Sequence, residues 1–139
     1  MQWTTARLKA DGPVIEVGVA VAESLERQLR QVGQAVPSPR TVLGLIDTGA
    51  STSTITPTLV ADLGIQPHDK VMVATPGRSV LVPRYHVRLL FPPNGFVVKT
   101  YALMVPLGKT KLHCLIGRDV LAHADFRYEG RYGRFWLTF

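Results

Sequence analysis

An all-β fold is predicted by three features of this sequence. Short runs of β-branched and aliphatic residues recur along the chain. Turns bearing Gly or Pro punctuate them, and several runs alternate apolar and polar residues with period two. At 139 residues the chain is long enough for one domain with a modest core, so residues 1–139 are expected to form a single unit.

The elements follow in order. Residues 14–21, VIEVGVAV, read as a strand that starts after the Asp11-Gly12-Pro13 turn. Residues 23–34 depart from the pattern: Leu25, Leu29 and Val32 recur at helical spacing with charges between them, which gives a short surface helix or a long polar loop. Pro37 and Pro39 break the chain, and residues 41–46 form a strand that Asp47-Thr48-Gly49-Ala50 ends. Residues 56–64 read as one compact helix. Thr56 suits the N-cap, Pro57 the first helical position and Gly64 a left-handed stop.

Two strands, residues 71–74 and 80–91, flank Thr75-Pro76-Gly77-Arg78 and make a hairpin with an exposed tip. A turn at residues 92–95, a strand at 96–105 and another at 111–116 come next. A short helix is expected at residues 117–123, then a closing hairpin of residues 126–128 and 134–139. Many short strands with few helices favour a closed or folded-over barrel, which leaves few open edges.

Composition excludes several classes. The apolar share of 46% is too high for a disordered chain, and no apolar run approaches the ~18 residues of a membrane span. The opening, MQWTTARLKADG, has no apolar core of a signal peptide. The single cysteine, Cys114, fits a reducing compartment and a cytoplasmic location, and it reads as a small buried hydrophobe. His113 and Cys114 are adjacent on a strand and point to opposite faces, so they cannot pair as base and nucleophile. His68, His86, His113 and His123 show no metal-ligand spacing, so neither a metal nor a cofactor is expected. The net charge of +6 is scattered rather than clustered, which argues against a nucleic-acid partner.

The informative stretch is VLGLIDTGASTST, residues 42–54. It carries Asp47 to the end of an apolar strand, where a carboxylate is costly to bury. The residues alone leave two readings open. Asp and Thr favour turns and Gly supplies positive φ, so the segment can be a turn and nothing more. Otherwise the carboxylate is the purpose of the segment. About seventy residues later a second constellation appears, Leu115-Ile116-Gly117-Arg118-Asp119-Val120-Leu121.

In residues 45–50, in the hairpin of residues 71–90 and in residues 115–121, the sequence resembles the retropepsin-like aspartic proteases, the single-lobed relatives of pepsin. The helix at residues 56–64 and the ending at 126–139 look like the cellular and bacterial branch. The resemblance implies a retropepsin-like acid-protease barrel with a flap hairpin and one or two short helices. It implies an aspartic endopeptidase in which Asp47 is the catalytic residue. Only one Asp-Thr-Gly occurs, so the pair of carboxylates that the chemistry needs must come from a homodimer with Asp47 on its axis. Thr48, Gly49 and Ala50 would support the catalytic loop, with Thr48 bonding across the dimer. Thr75, Pro76, Gly77 and Arg78 would form the flap over a peptide or protein substrate. Leu115, Ile116 and Gly117 would pack under the catalytic loop, and Arg118 would tether the helix to neighbouring loops. The terminal strands of the two chains would interleave, or residues 134–139 would simply close their own chain.

Two positions depart from the retroviral pattern. Ser51 stands where an aspartate would pair with the helix arginine, which leaves the contacts of Arg118 open. Pro76-Gly77 replaces a glycine-rich flap tip. A second reading keeps the fold and drops the chemistry, giving an inactive peptide-binding or dimerisation module. A third is a basic β-domain that binds nucleic acid. The apolar residues Leu45, Val80, Val82, Leu115 and Ile116 are expected to line a groove for apolar side chains.

Overall fold

The computed structural model describes residues 3–92 and 95–139. The expected turn at residues 92–95 includes Pro93 and Asn94, which lie outside the described residues. Among the described residues, ten strands, three short α-helices and one 3-10 helical turn make up the fold.

Six strands close into a barrel: β2 (Val14–Val21), β3 (Arg40–Ile46), β8 (Leu112–Ile116), β4 (Thr54–Ile55), β7 (Phe96–Met104) and β6 (Arg78–Phe91). Pairing of β6 with β2 completes the ring. The β3–β8 and β4–β7 pairs are parallel, and the other pairs in the ring are antiparallel. The barrel interior is filled by alternate residues of these strands. Val17, Val19, Val87, Leu89, Phe91, Ile55 and Ile116 are all essentially inaccessible to solvent. At ~25 cal/mol per Å² of apolar surface, each such side chain contributes about 1.5–3 kcal/mol.

The closing strand β6 is longer than the barrel needs. Its residues 84–91 pair with β7, and residues 78–84 pair with β5 (Asp69–Thr75) as an extension of the sheet, Arg84 being shared by both ladders. This is the expected hairpin, with Thr75 opposite Arg78 and Pro76-Gly77 as a two-residue turn. Gly77 takes φ of +86°, which a side chain would resist.

The helix over Pro57–Leu63, α2, buries Leu59, Val60 and Leu63 and stops at Gly64 with φ of +62°. Thr56 occupies the N-cap position, but its hydroxyl does not cap. It bonds His113 Nδ1 at 2.9 Å instead, joining α2 to β8. The segment after β2 is a helix rather than a loop: α1 covers Glu23–Gln31 and buries no residue completely. Glu26 pairs with Arg88 at 2.9 Å and Glu23 with Lys99 at 2.8 Å, so α1 lies against the outer faces of β6 and β7.

A second, three-stranded sheet has the order β1 (Trp3–Arg7), β10 (Arg134–Thr138), β9 (Asp125–Glu129). The strand β1 was not foreseen. Both edges of β10 are taken by strands of its own chain, so this sheet's outer edges are β1 and β9. Phe135 and Leu137 enter the shared core as the alternation requires, and Thr138, which alternation turns to the opposite face, is buried as well. Phe139 sits between Phe91 and Phe96, with ring centroids 4.7 and 4.5 Å away.

Candidate active site

Asp47 follows β3 directly. Its backbone N–H donates to the Ile116 carbonyl at 2.9 Å, which continues the parallel β3–β8 ladder in which Leu45 faces Leu115 and Ile46 faces Ile116. The carboxylate is half-buried. Its Oδ1 accepts the Gly49 N–H at 2.9 Å, and Oδ2 has no partner among the described residues. No cation pairs with Asp47 among those residues. A Cβ on Gly49 would lie 3.2 Å from Asp47 Oδ1, so a side chain there would press on the carboxylate. The turn is closed by the Ala50 N–H, which donates to the Asp47 carbonyl at 3.2 Å.

The second motif holds this loop from behind. Helix α3, Arg118–Leu121, starts at Gly117. The Arg118 N–H donates to the Ala50 carbonyl at 2.8 Å, and its Nη1 donates to the Thr48 carbonyl at 2.8 Å. That answers the question left by Ser51: the guanidinium tethers the loop through main-chain oxygen and needs no carboxylate there. Gly117 sits where no side chain fits. A Cβ would come within 2.8 Å of the Thr52 carbonyl carbon and 2.9 Å of the Ala50 oxygen. The Thr48 hydroxyl is exposed and makes no bond within the chain among the described residues.

Sequence reasoning placed Asp119 in the second motif but missed Ser53 and Thr100, its partners in bracing this arrangement. Asp119 Oδ1 accepts from the Ser53 N–H at 2.9 Å and from the Ser53 hydroxyl at 2.8 Å, while Oδ2 accepts from the Thr100 hydroxyl. Ser53 Oγ in turn accepts the Gly117 N–H at 3.0 Å. Ser53 is fully buried. The relay therefore locks the segment after the Asp47 turn to the start of α3 and to β7. Asp119, the fifth residue of the second motif, was its one available signal.

The expected groove lining is partly corrected. Ile116 is buried in the barrel core and cannot face an open groove, because alternation points it inward and Leu115 outward, whereas Val82 is buried on the inner face of the hairpin, opposite Val71. Leu45, Leu115 and Val80 remain half-exposed. The hairpin tip, Thr75 to Arg78, is exposed, and the Thr75 hydroxyl donates to the Arg78 carbonyl at 2.8 Å. At the hairpin root Arg84 grips Asp69 with two bonds of 2.8 and 2.5 Å and lies 5.1 Å over the Tyr101 ring. The Arg84 guanidinium holds the Asp69 carboxyl below its usual range.

Cys114 is buried, and burial pushes its thiol up to about 12, so it is not a nucleophile at neutral pH. Among the described residues no three His, Cys, Asp or Glu side chains gather as metal ligands. No helix among them is long and apolar enough to cross a membrane.

Comparisons with known proteins bear on the family and on the fold. Residues 31–120 match the sequence profile of a family described as aspartyl protease. No curated protein matches the sequence. Among solved structures, a retropepsin-like aspartic protease from Rickettsia conorii is similar over 99% of this chain and 91% of its own, with a TM-score of 0.60 at 15% identity. The EIAV protease in complex with the inhibitor HBY-793 is similar over 80% of this chain and 86% of its own, with a TM-score of 0.51 at 22% identity. A foamy viral protease–reverse transcriptase in complex with an RNA/DNA hybrid is similar over 81% of this chain and 12% of its own, with a TM-score of 0.51 at 15% identity. The likeness to these three is one of fold: a retropepsin-like barrel.

Proposed function

The chain belongs to the aspartyl protease family, and from that premise we propose that it is an aspartic endopeptidase whose active site is completed by a second copy of itself. The observation that carries the reading is the state of Asp47. The residue is half-buried at a strand end, one carboxylate oxygen is fixed by a backbone N–H, and the other has no partner among the described residues. A carboxylate that served only its own turn would not need the surrounding brace of Arg118, Gly117 and Ser53.

One carboxylate is half of the chemistry. Two Asp47 side chains about 3 Å apart would share a proton, because both cannot ionise at that separation. The ionised member draws a proton from a water, which attacks the scissile carbonyl carbon. The protonated member delivers its proton to the carbonyl oxygen as the tetrahedral intermediate forms. Collapse of that intermediate breaks the C–N bond, with a proton passing to the leaving nitrogen. The pair titrates as one unit, and its two apparent pKa values belong to neither member alone.

The remaining roles follow. Thr48, with its free hydroxyl, bonds the partner's main chain and locks the two loops. Gly49 and Ala50 keep the loop narrow enough for a peptide to approach. Leu115, Ile116, Gly117 and Arg118 hold the loop from below. Thr75, Pro76, Gly77 and Arg78 form the flap, which closes over an extended peptide and excludes water.

The test is the variant Asp47→Asn with light scattering over a concentration series. The wild type is expected to dimerise and to cleave peptides at acidic pH, and the variant to dimerise equally and cleave nothing. A wild type that dimerises and binds peptides without cutting them would favour the inactive binding module. A strict monomer at high concentration would remove the shared-proton mechanism altogether.

A further inference from the structure

We propose that Arg78 selects substrates carrying an acidic side chain beside the cleaved bond. This rests on the protease reading above and adds the substrate class.

The argument starts from the two faces of the β5–β6 hairpin. Paired residues share a face, and the face alternates along each strand. Val71 pairs with Val82 and Val73 with Val80. Val82 is buried and the other three are half-buried, so this face turns toward the body of the molecule. The intervening pair, Met72 and Leu81, is 63% and 55% exposed and turns away. Two positions beyond Val73 and Val80 lies the pair Thr75 and Arg78, which therefore shares the inward, valine-lined face.

The underside of the hairpin is thus apolar along its length and cationic at its tip. The tip is a fixed platform: Pro76 and Gly77 set the turn, and the Thr75 hydroxyl bonds the Arg78 carbonyl at 2.8 Å. The guanidinium itself has no acceptor among the described residues. Arg84, Arg88, Arg118 and Arg134 all have theirs. Among the described residues nothing neutralises Arg78.

With the hairpin serving as the flap proposed above, the dimeric site would carry two such guanidinium groups over one proton-sharing carboxylate pair. Their two positive charges exceed the single negative charge of that pair. A groove that loses water on closing strengthens a guanidinium–carboxylate contact, which is charge-assisted and can be bidentate. An Asp or Glu side chain of the substrate supplies the missing acceptor, and apolar substrate side chains suit the valines behind the tip.

A peptide library randomised around a central apolar pair tests the proposal, with cleavage products sequenced by mass spectrometry. The wild type should favour Glu over Gln within two residues of the cut by about ten-fold in kcat/KM. Arg78→Gln should bring that ratio close to one, and Arg78→Glu should shift the preference toward Lys and Arg. A wild type indifferent to Glu against Gln, or a preference that survives in Arg78→Gln, overturns the proposal. Absence of any cleavage by the wild type counts against the protease reading instead. In that case capture of library peptides by immobilised Asp47→Asn protein, with and without Arg78→Gln, decides the question. Arg78-dependent enrichment of acidic peptides supports the selection, and equal capture by both overturns it.

Discussion

The Ser53 N–H and the Ser53 hydroxyl both donate to one oxygen of Asp119, at 2.9 and 2.8 Å, across 66 positions of sequence. Ser53 is buried, so neither donor has water to fall back on. Replacing Asp119 by Leu strands both of these donors and the Thr100 hydroxyl. The expected cost is ~2–5 kcal/mol of unfolding free energy, read by urea denaturation. Asp119→Asn keeps an acceptor for Ser53 and should lose clearly less. Equal losses in the two variants would mean that the relay is not what braces the loop.

Gly117→Ala tests the close approach of the two motifs. The new methyl group would meet backbone at 2.8 to 3.0 Å, from Thr52, Ala50 and Ser53. Backbone on both sides cannot yield as a flexible side chain does. The expectation is a loss of ~1–3 kcal/mol and a displaced Asp47 loop, with peptide cleavage falling further than stability alone explains. An active, stable Gly117→Ala protein would show that the loops can separate freely.

Most of the barrel was legible because its strands alternate cleanly and its turns carry Gly and Pro. The helix at Pro57–Leu63 was legible from Thr56, Pro57 and Gly64, although the Thr56 hydroxyl does not cap it. The strand Trp3–Arg7 was not, because it is a short strand whose identity depends on pairing with β10, at the far end of the chain. The two-residue strand Thr54–Ile55 is likewise defined only by its neighbours β7 and β8. In the site, Asp47 and Gly117 stood out by motif. Ser53 did not, since a serine after a turn has no local mark of burial. The contact of Arg118 with the Thr48 carbonyl was hidden because main-chain acceptors leave no trace in residue identity.

Stability should decline in acid in two stages. His86 is a base whose pKa is lowered, first by burial and then by His68 and Lys99. Its neutral form is favoured in the fold, so stability is complete above its ordinary value of 6.5 and begins to fall below it. Glu23 and Glu26 are held below 4.5 by hydrogen bonds, from Lys99 for Glu23 and from Arg30 and Arg88 for Glu26. For Glu129, burial raises the pKa, but bonds from Arg134 and Trp136 outweigh it and leave the carboxyl lowered. The contribution of these carboxylates is present above 4.5 and lost as pH falls through their lowered values. Urea midpoints between pH 7 and pH 3 should therefore drop gently and then steeply. Glu129→Gln should flatten the steep part, and an unchanged profile would exclude Glu129 from it.

The hairpin root offers a local test. Arg84 binds Asp69 through two nitrogens and covers Tyr101, a combination that lysine's single ammonium cannot reproduce. In Arg84→Lys the amides of β5 and of residues 78–83 should exchange hydrogen faster, while those of β2 and β3 keep their protection. Uniform acceleration through the barrel would show that the hairpin opens only with global unfolding.

Thr48 gives the sharpest test of the proposed dimer. Its carbonyl is engaged by Arg118 at 2.8 Å, whereas its hydroxyl is exposed and has no acceptor in its own chain among the described residues. In a monomer that hydroxyl does nothing, so Thr48→Ala should leave unfolding free energy within ~0.5 kcal/mol of wild type under conditions where the protein is monomeric. In a dimer locked through this residue, two symmetry-related hydrogen bonds are lost at once. Each is worth ~0.5–1.5 kcal/mol, which raises the dissociation constant about five- to a hundred-fold. Sedimentation equilibrium separates the two effects. Cleavage should fall at low enzyme concentration and recover at high concentration, because the deficit lies in association and Asp47 is untouched. An unchanged dissociation constant would place the subunit contact elsewhere, with the outer edges of β1 and β9 as the next surfaces to vary.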